Sequence, residues 1–344
     1  MKILPLLLTS ALVGSLAADT VYTIPQGYTK VTISGASAVG EKKLTAISAT
    51  LLQDVEYSGA LTIGSFNDNP DPDADTQSAS VSGVTTWAAD EWTSVPHLAY
   101  VTEADDLNNA DGEPPAEQAF LIMGNTTNGG LTLAATSDMT VNFPANSTVK
   151  IRKANTLSSI FASGVQNVNE NDRVFIWDDS SNSWVSFNYI PDGPGLWIGP
   201  AGLSNDMVVF PEEGLFYSRT VTTDLELTLF GEVPAAPQLA SIEGSGFLSS
   251  RVPVNSTIGN LGVENSNWNA DFDRLYVWKP DDGDWDSYNF IPIPGQAGLW
   301  LKGGAPSNDD VVAAGSAVFL LRQTENAAGT GQVKTELPYN PFAE

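Results

Sequence analysis

Three aspartates at alternate positions, Asp71, Asp73 and Asp75, stand in the stretch DPDADT, a spacing that can turn several carboxylates toward one calcium ion. An EF-hand-like loop also needs Gly at its sixth position and Glu at its twelfth. Thr76 and Ser82 stand there instead, so a solvated acidic loop fits the residues better. The single histidine, His97, sits among apolar neighbours in SVPHLAY, a setting that suits a structural ring more than a proton carrier. There is no cysteine, which excludes thiol catalysis, iron–sulfur clusters and thiolate zinc sites. No serine has a credible histidine base, and no phosphate-binding loop is present. Paired carboxylates remain, as in glycosidases, but among 41 acidic residues some pair is always close, so proximity alone would show nothing. The expectation is a non-enzymatic protein with no catalytic residues and no cofactor, calcium being the one ion for which the sequence leaves room.

Tryptophan is the second chemically informative residue. Seven of the nine lie in or beside two related segments: Trp177, Trp184 and Trp197 in one, and Trp268, Trp278, Trp285 and Trp300 in the other. Indole faces on β domains can stack on sugar rings. Trp177 and Trp278 end strands that are apolar on both faces (Val-Phe-Ile-Trp, Leu-Tyr-Val-Trp), which argues for burial, and Trp184 and Trp285 are expected to pack across the same hairpins. Trp197 and Trp300, framed by Gly-rich loops, are the ligand-binding candidates. Arginine is scarce, and four of the six fall at matched positions: Arg173 with Arg274, and Arg219 with Arg322. Together with matched Asp206 and Asp309 they read as structural bridges that pin loops to strands.

Those matches belong to a duplication. Over Asp172–Pro191 and Asp273–Pro292, eight of twenty positions are identical, and the similarity continues through GLWI and GLWL, SNDMVV and SNDDVV, and the strands ending at Arg219 and Arg322. A spacing of about 100 residues and only two copies argue against propeller blades, which recur at about 50 residues and need several copies to close. Elsewhere, short runs of Val, Ile, Thr, Phe and Tyr are punctuated by Gly, Pro, Asn and Asp. The best helical candidate is Gly40–Leu52, itself compatible with strands. The fold class expected is all-β: an N-terminal β domain followed by two tandem, duplicated barrel- or sandwich-like domains.

The expected boundaries are a signal peptide at 1–18, with Lys2, an apolar stretch and a Ser-Leu-Ala cleavage pattern; an N-terminal β domain at 19–140 with an acidic loop at 66–80; the first repeat at 141–230; a proline-stiffened linker at 231–240; and the second repeat at 241–335. The formal charge of −26 excludes nucleic acid and anionic membranes as partners. The runs TVKIRKANTLSSIFASG, DRVFIWDDSSNSW and RLYVWKPDDGDW resemble those of a family of exported, signal-peptide-bearing, β-rich proteins found mainly in Verrucomicrobia and related bacteria. The resemblance implies export and a β-rich architecture, and brings no activity. The function expected is a structural or adhesive protein of the cell surface or extracellular matrix, with the periplasm as the other compartment open to it. Its partners would be itself or other surface proteins. The alternative is a carbohydrate-binding module that takes polysaccharide on Trp197 and Trp300, and the third reading is a carboxylate-dependent glycan hydrolase.

Overall fold

Runs of β-branched and aromatic residues become strands throughout the computed structural model of the chain, which describes residues 25–70, 74–102, 115–143, 147–192, 195–242, 244–265, 268–294, 298–322 and 331–339. The protein is all-β, as expected. The segment 1–18 expected to be a signal peptide, and Asp71 and Asp73, lie outside the described residues.

Strands β1 (Gln26–Ile33) and β2 (Lys43–Ser48) come first, so the helical candidate at Gly40–Leu52 is a strand. Six more follow: β3 (Val55–Asn67), β4 (Thr76–Val81), β5 (His97–Thr102), β6 (Glu117–Asn125), β7 (Gly130–Ala134) and β8 (Ser147–Lys153). They close into a barrel in the order β6-β5-β8-β3-β4-β7, with β7 pairing back onto β6. The barrel fills itself with alternate residues, among them Leu61, Ala99, Val101, Leu133, Val149 and Ile151. Strand β4 shows why the polar segment 66–80 is a loop only in its middle. TQSASV buries Gln77, Ala79 and Val81 on one face, and the Gln77 amide donates to the Gly64 carbonyl at 2.8 Å and accepts from the Met139 N–H at 3.1 Å.

The first repeat continues with β9 (Asn155–Thr156), a short helix α1 (Leu157–Phe161), β10 (Arg173–Asp178), β11 (Ser183–Ile190), β12 (Leu196–Gly199), β13 (Gly202–Leu203), β14 (Val208–Val209), β15 (Gly214–Arg219) and β16 (Leu225–Glu232). The second runs through β17 (Gln238–Ile242), β18 (Gly246–Ser249), β19 (Ser256–Thr257), β20 (Arg274–Lys279), β21 (Asp284–Ile291), β22 (Leu299–Lys302), β23 (Ala305–Pro306), β24 (Val311–Val312), β25 (Ala317–Leu321) and β26 (Gly331–Thr335). Their sheets match strand for strand: β13-β12-β11-β10-β15-β2 against β23-β22-β21-β20-β25-β18. The remaining pairings match as well, β14 on β9 against β24 on β19, and β1 on β16 against β17 on β26, although β17 also pairs in parallel with β6 and so joins the barrel sheet.

The sheets therefore divide the chain differently from the boundary expected at residue 140. Strand β2 supplies the first repeat with the edge that β18 supplies to the second, pairing with β15 so that Gly214 lies opposite Ser48 and Arg219 opposite Lys43. The barrel is an insertion between β2 and β9. The connector expected at 231–240 shrinks to 233–237, since Glu232 ends β16 and Gln238 begins β17.

The expected structural bridges separate into those that bear weight and those that do not. Arg219 is buried and donates to Asp172 at 2.6 Å and to the carbonyls of Asn167 and Thr223 at 2.8 and 3.0 Å. Asp172 also accepts from the Tyr217 hydroxyl and from Thr220, so every lone pair of this buried carboxylate has a donor nearby. In the second copy Asp273 is buried, and its charge favours the cationic form of Arg322, which burial disfavours. Arg274 holds carbonyls, notably that of Asp273 at 2.6 Å. Arg173 is exposed and makes no ion pair among the described residues. Asp206 and Asp309 are exposed too; the neighbouring asparagines do the tying. Asn205 accepts from the Trp197 N–H at 2.7 Å and donates to Gly195, and Asn308 repeats this on Trp300 and Gly298. Asp172→Ala is expected to cost about 3–5 kcal/mol by stranding the Arg219 charge, whereas Asp206→Ala stays within about 0.5 kcal/mol; urea unfolding of both variants checks the contrast.

Candidate functional site

The two ligand-binding candidates do not reach the surface. Trp197 is 2% exposed and Trp300 0%. Each lies on the core side of its sheet: Trp197 against Phe161 and Tyr189 at 5.0 and 5.2 Å, and Trp300 against Trp268 and Phe290 at 4.9 and 5.1 Å. The Asn205 and Asn308 brackets fix them there. This corrects the assignment: with both faces packed, neither indole can stack on a sugar. Asp75, the one described member of the calcium candidate, is buried and accepts from the Asn69 N–H at 2.6 Å, which ties its own loop. His97 is buried, with Nδ1 by the carbonyls of Trp92 and Val95 and Nε2 3.1 Å from the Glu56 carboxylate, a structural role.

The hairpin tryptophans have the more consequential position. In β10, Val174 and Ile176 face the repeat's own core, while Phe175 and Trp177 face outward and meet the other copy. The second copy does the same with Trp278 and Trp285, so the two sheets share a seam of aromatic rings. The contacts are reciprocal, as in an isologous dimer. The Trp177 indole N–H donates to the Ser245 carbonyl at 2.7 Å, and that of Trp278 donates to Leu44 at 2.9 Å. Ser48 N–H donates to Gly315 and Ser249 N–H to Glu212, both at 2.8 Å. Trp177 meets Phe319 at 5.0 Å as Trp278 meets Phe216 at 5.4 Å. Gly214 and its counterpart Ala317 stand against each other near the centre. A Cβ on Gly214 would lie 2.3 Å from that of Ala317, so only glycine allows this approach.

The seam is not filled throughout. A cleft of about 510 Å³ opens between Phe175, Trp184, Phe216, Trp278 and Trp285, with Lys42, Leu44 and Ser218 at its side. Here half-buried indoles from both copies leave faces available. The sequence pointed to burial of these residues through strands apolar on both faces, but could not show that the second apolar face belongs to a partner copy. A signal was present in the identity of the tryptophans themselves: rings repeated on an outward face need something to cover them.

A second, smaller cavity of about 170 Å³ lies along the seam between Trp177, Phe210, Glu212, Glu213, Phe247 and Leu248. Burial raises the Glu212 carboxyl to about 7 and that of Glu213 to about 8, because the charged forms lose hydration there. The Phe210 N–H donates to Glu213 at 3.0 Å, and buried Arg251 lends positive charge to Glu212. Among the described residues no three acidic or histidine side chains gather closely enough to hold a metal ion. Comparison with known protein families, curated proteins and solved structures finds no match.

The two glutamates give the seam a direction of response to pH. In the unfolded chain both ionise near 4.5, while in the fold they stay neutral up to about 7 and 8. The stability they favour is complete below about pH 4.5 and is lost as pH rises through 8. Glu213→Gln keeps an acceptor for the Phe210 N–H and is expected to flatten this fall, gaining about 1–2 kcal/mol over the parent at pH 8 and little at pH 4. Urea unfolding across that range is the check.

Proposed function

We propose that the chain is an exported, non-enzymatic β protein of the cell surface or extracellular matrix that acts by surface contact and self-association. The observation that carries this reading is the arrangement of the two sheets around the seam. Strands β2 and β18 lie at the edge that touches the other copy, which leaves β13 and β23 as equivalent outer edges. An unpaired edge strand offers hydrogen-bonding groups to another chain. Exposed apolar side chains lie toward this end of each sheet: Leu203 in β13 is 67% exposed, and Ile190 and its counterpart Ile291, at the ends of β11 and β21, are 45% and 41% exposed. A molecule with like edges in reciprocal positions can join two neighbours at once, and so extend rather than merely pair. Its acidic surface suits a salty or calcium-containing medium, where screening permits such contacts. The resemblance of its repeat motifs to exported bacterial β proteins supports the same location.

The sugar-binding reading loses the two tryptophans on which it was built. Glu212 and Glu213, the adjacent carboxyls that burial raises, offer a hydrolase little support, since Glu213 accepts a backbone N–H and both line a chamber of the seam.

Light scattering and electron microscopy over rising concentration, in salt and calcium, test the proposal. Assembly is expected for the parent chain and is expected to be lost in a variant carrying Leu203→Lys, Ile190→Lys and Ile291→Lys. A parent that stays monomeric throughout, or a charged variant that assembles equally well, would overturn it.

A further inference from the structure

The seam cleft has a chemistry of its own, and we infer that it is a binding site for a small aromatic carboxylate. This goes beyond self-association through the outer edges and does not depend on it. The cleft walls are rings and an aliphatic chain: Phe175, Phe216, Trp184, Trp278 and Trp285, with Leu44 beside them. Apart from the indole N–H groups, of which that of Trp278 is taken by the Leu44 carbonyl, two side chains supply its polarity, the Ser218 hydroxyl and the Lys42 ammonium. A flat apolar ring can satisfy itself against such walls by offset or edge-to-face packing. A pyranose ring would bring several hydroxyls that need acceptors as well as donors and find one hydroxyl, one ammonium and indole N–H groups to meet them, and each hydroxyl left without a partner costs affinity.

Lys42 fixes the sign of the polar end. It stands at the exposed start of β2 and makes no ion pair among the described residues, while its neighbour Lys43 is 3.4 Å from Asp281. In a chain with 15 basic against 41 acidic residues, a cation not engaged by an acid at the mouth of an aromatic cleft is a local exception to the surrounding field. One anionic group is therefore favoured at this point, whereas a polyanion would extend into the acidic surface around it.

The duplication supplies a comparison within the molecule. On the opposite flank of the seam the counterpart of Ser218 is Leu321, that of Leu44 is Ser245, and that of Phe175 is Tyr276, as the matched strand registers show. The two flanks thus share their tryptophans and differ in the residues around them. The combination of Lys42, Leu44 and Ser218 around the rings is therefore particular to one flank.

The test is titration of the full chain with 1-naphthoate, followed by quenching of indole fluorescence and by calorimetry, with 1-naphthalenemethanol and glucuronate as the neutral-ring and sugar-acid comparisons. Naphthoate is expected to bind with one site per chain and more tightly than either comparison. Lys42→Ala, a change at an exposed residue, is expected to weaken naphthoate by roughly three- to tenfold and leave the neutral ring unchanged. Lys42→Arg should restore the preference. Ser218→Leu, which copies the opposite flank, is expected to reduce binding of both rings. The inference is overturned if naphthoate fails to bind the folded chain at millimolar concentration, if the neutral ring or glucuronate binds as tightly, or if Lys42→Ala changes nothing. Association state measured in the same samples separates this result from failure of the assembly reading, because neither Lys42 nor Ser218 lies on an outer edge.

Discussion

Packing between the two copies is the constraint from which most of the structure follows. A single repeat would carry a sheet with its core on one face and a row of Trp, Phe and Tyr on the other. Large rings of this kind hold much of the energy of an interface and cannot be left in water without inviting association. Joining the copies in one chain gives that face a partner at high effective concentration. The reciprocal indole N–H bonds from Trp177 to Ser245 and from Trp278 to Leu44 then tie the sheets at two equivalent points. Strand β2 must be present for the same reason, since it provides both the edge of the first sheet and the Leu44 carbonyl.

The fold class and the duplication were legible from strand alternation, turn residues and the repeated motifs. The asparagines of the SND turns lie inside those motifs, but in a sequence the charge of the next aspartate is easier to weigh than an amide's bracket on a backbone. The errors at Trp197 and Trp300 have a common cause. Glycines on either side suggested loops and exposure, whereas they allow the backbone to bend so that the ring can turn inward: Gly195 has a φ of +87°, and a Cβ on Gly298 would overlap the Phe290 ring. The place of the barrel was not legible, because nothing in local periodicity records that a strand's hydrogen-bonding partner lies beyond an entire inserted unit.

The two arginines outside the repeat pattern gain significance from that arrangement. Arg152, at the end of β8 in the barrel, pairs with Glu232 in the first repeat and also binds the Gln53 carbonyl. Arg251 follows β18 with a φ of +58° and donates to the carbonyls of Val333 and Leu261 at 2.9 and 3.1 Å. One fastens the insertion to its host, and the other closes the second repeat upon itself. Each is buried and reaches acceptors on two separate segments, which suits the planar, forked guanidinium better than the ammonium of lysine.

The barrel's entry and exit are neighbours: β3 and β8 run antiparallel, with Val55 opposite Arg152. An insertion whose ends meet acts on its host as a clasp. By folding, it turns a long excursion of chain into a short bridge, so that β2 and β9 approach each other with far less loop-closure entropy left to lose. The order of events during folding is then set by topology. The barrel's contacts are more local in sequence than those of β2 with β15, which favours its closure before the first sheet; the strands of the second repeat follow one another without interruption, with β17 also docked on β6 of the barrel. The first repeat and the seam would be the last to assemble, and a chain damaged in its barrel would present an unpaired aromatic face although every seam residue remained intact.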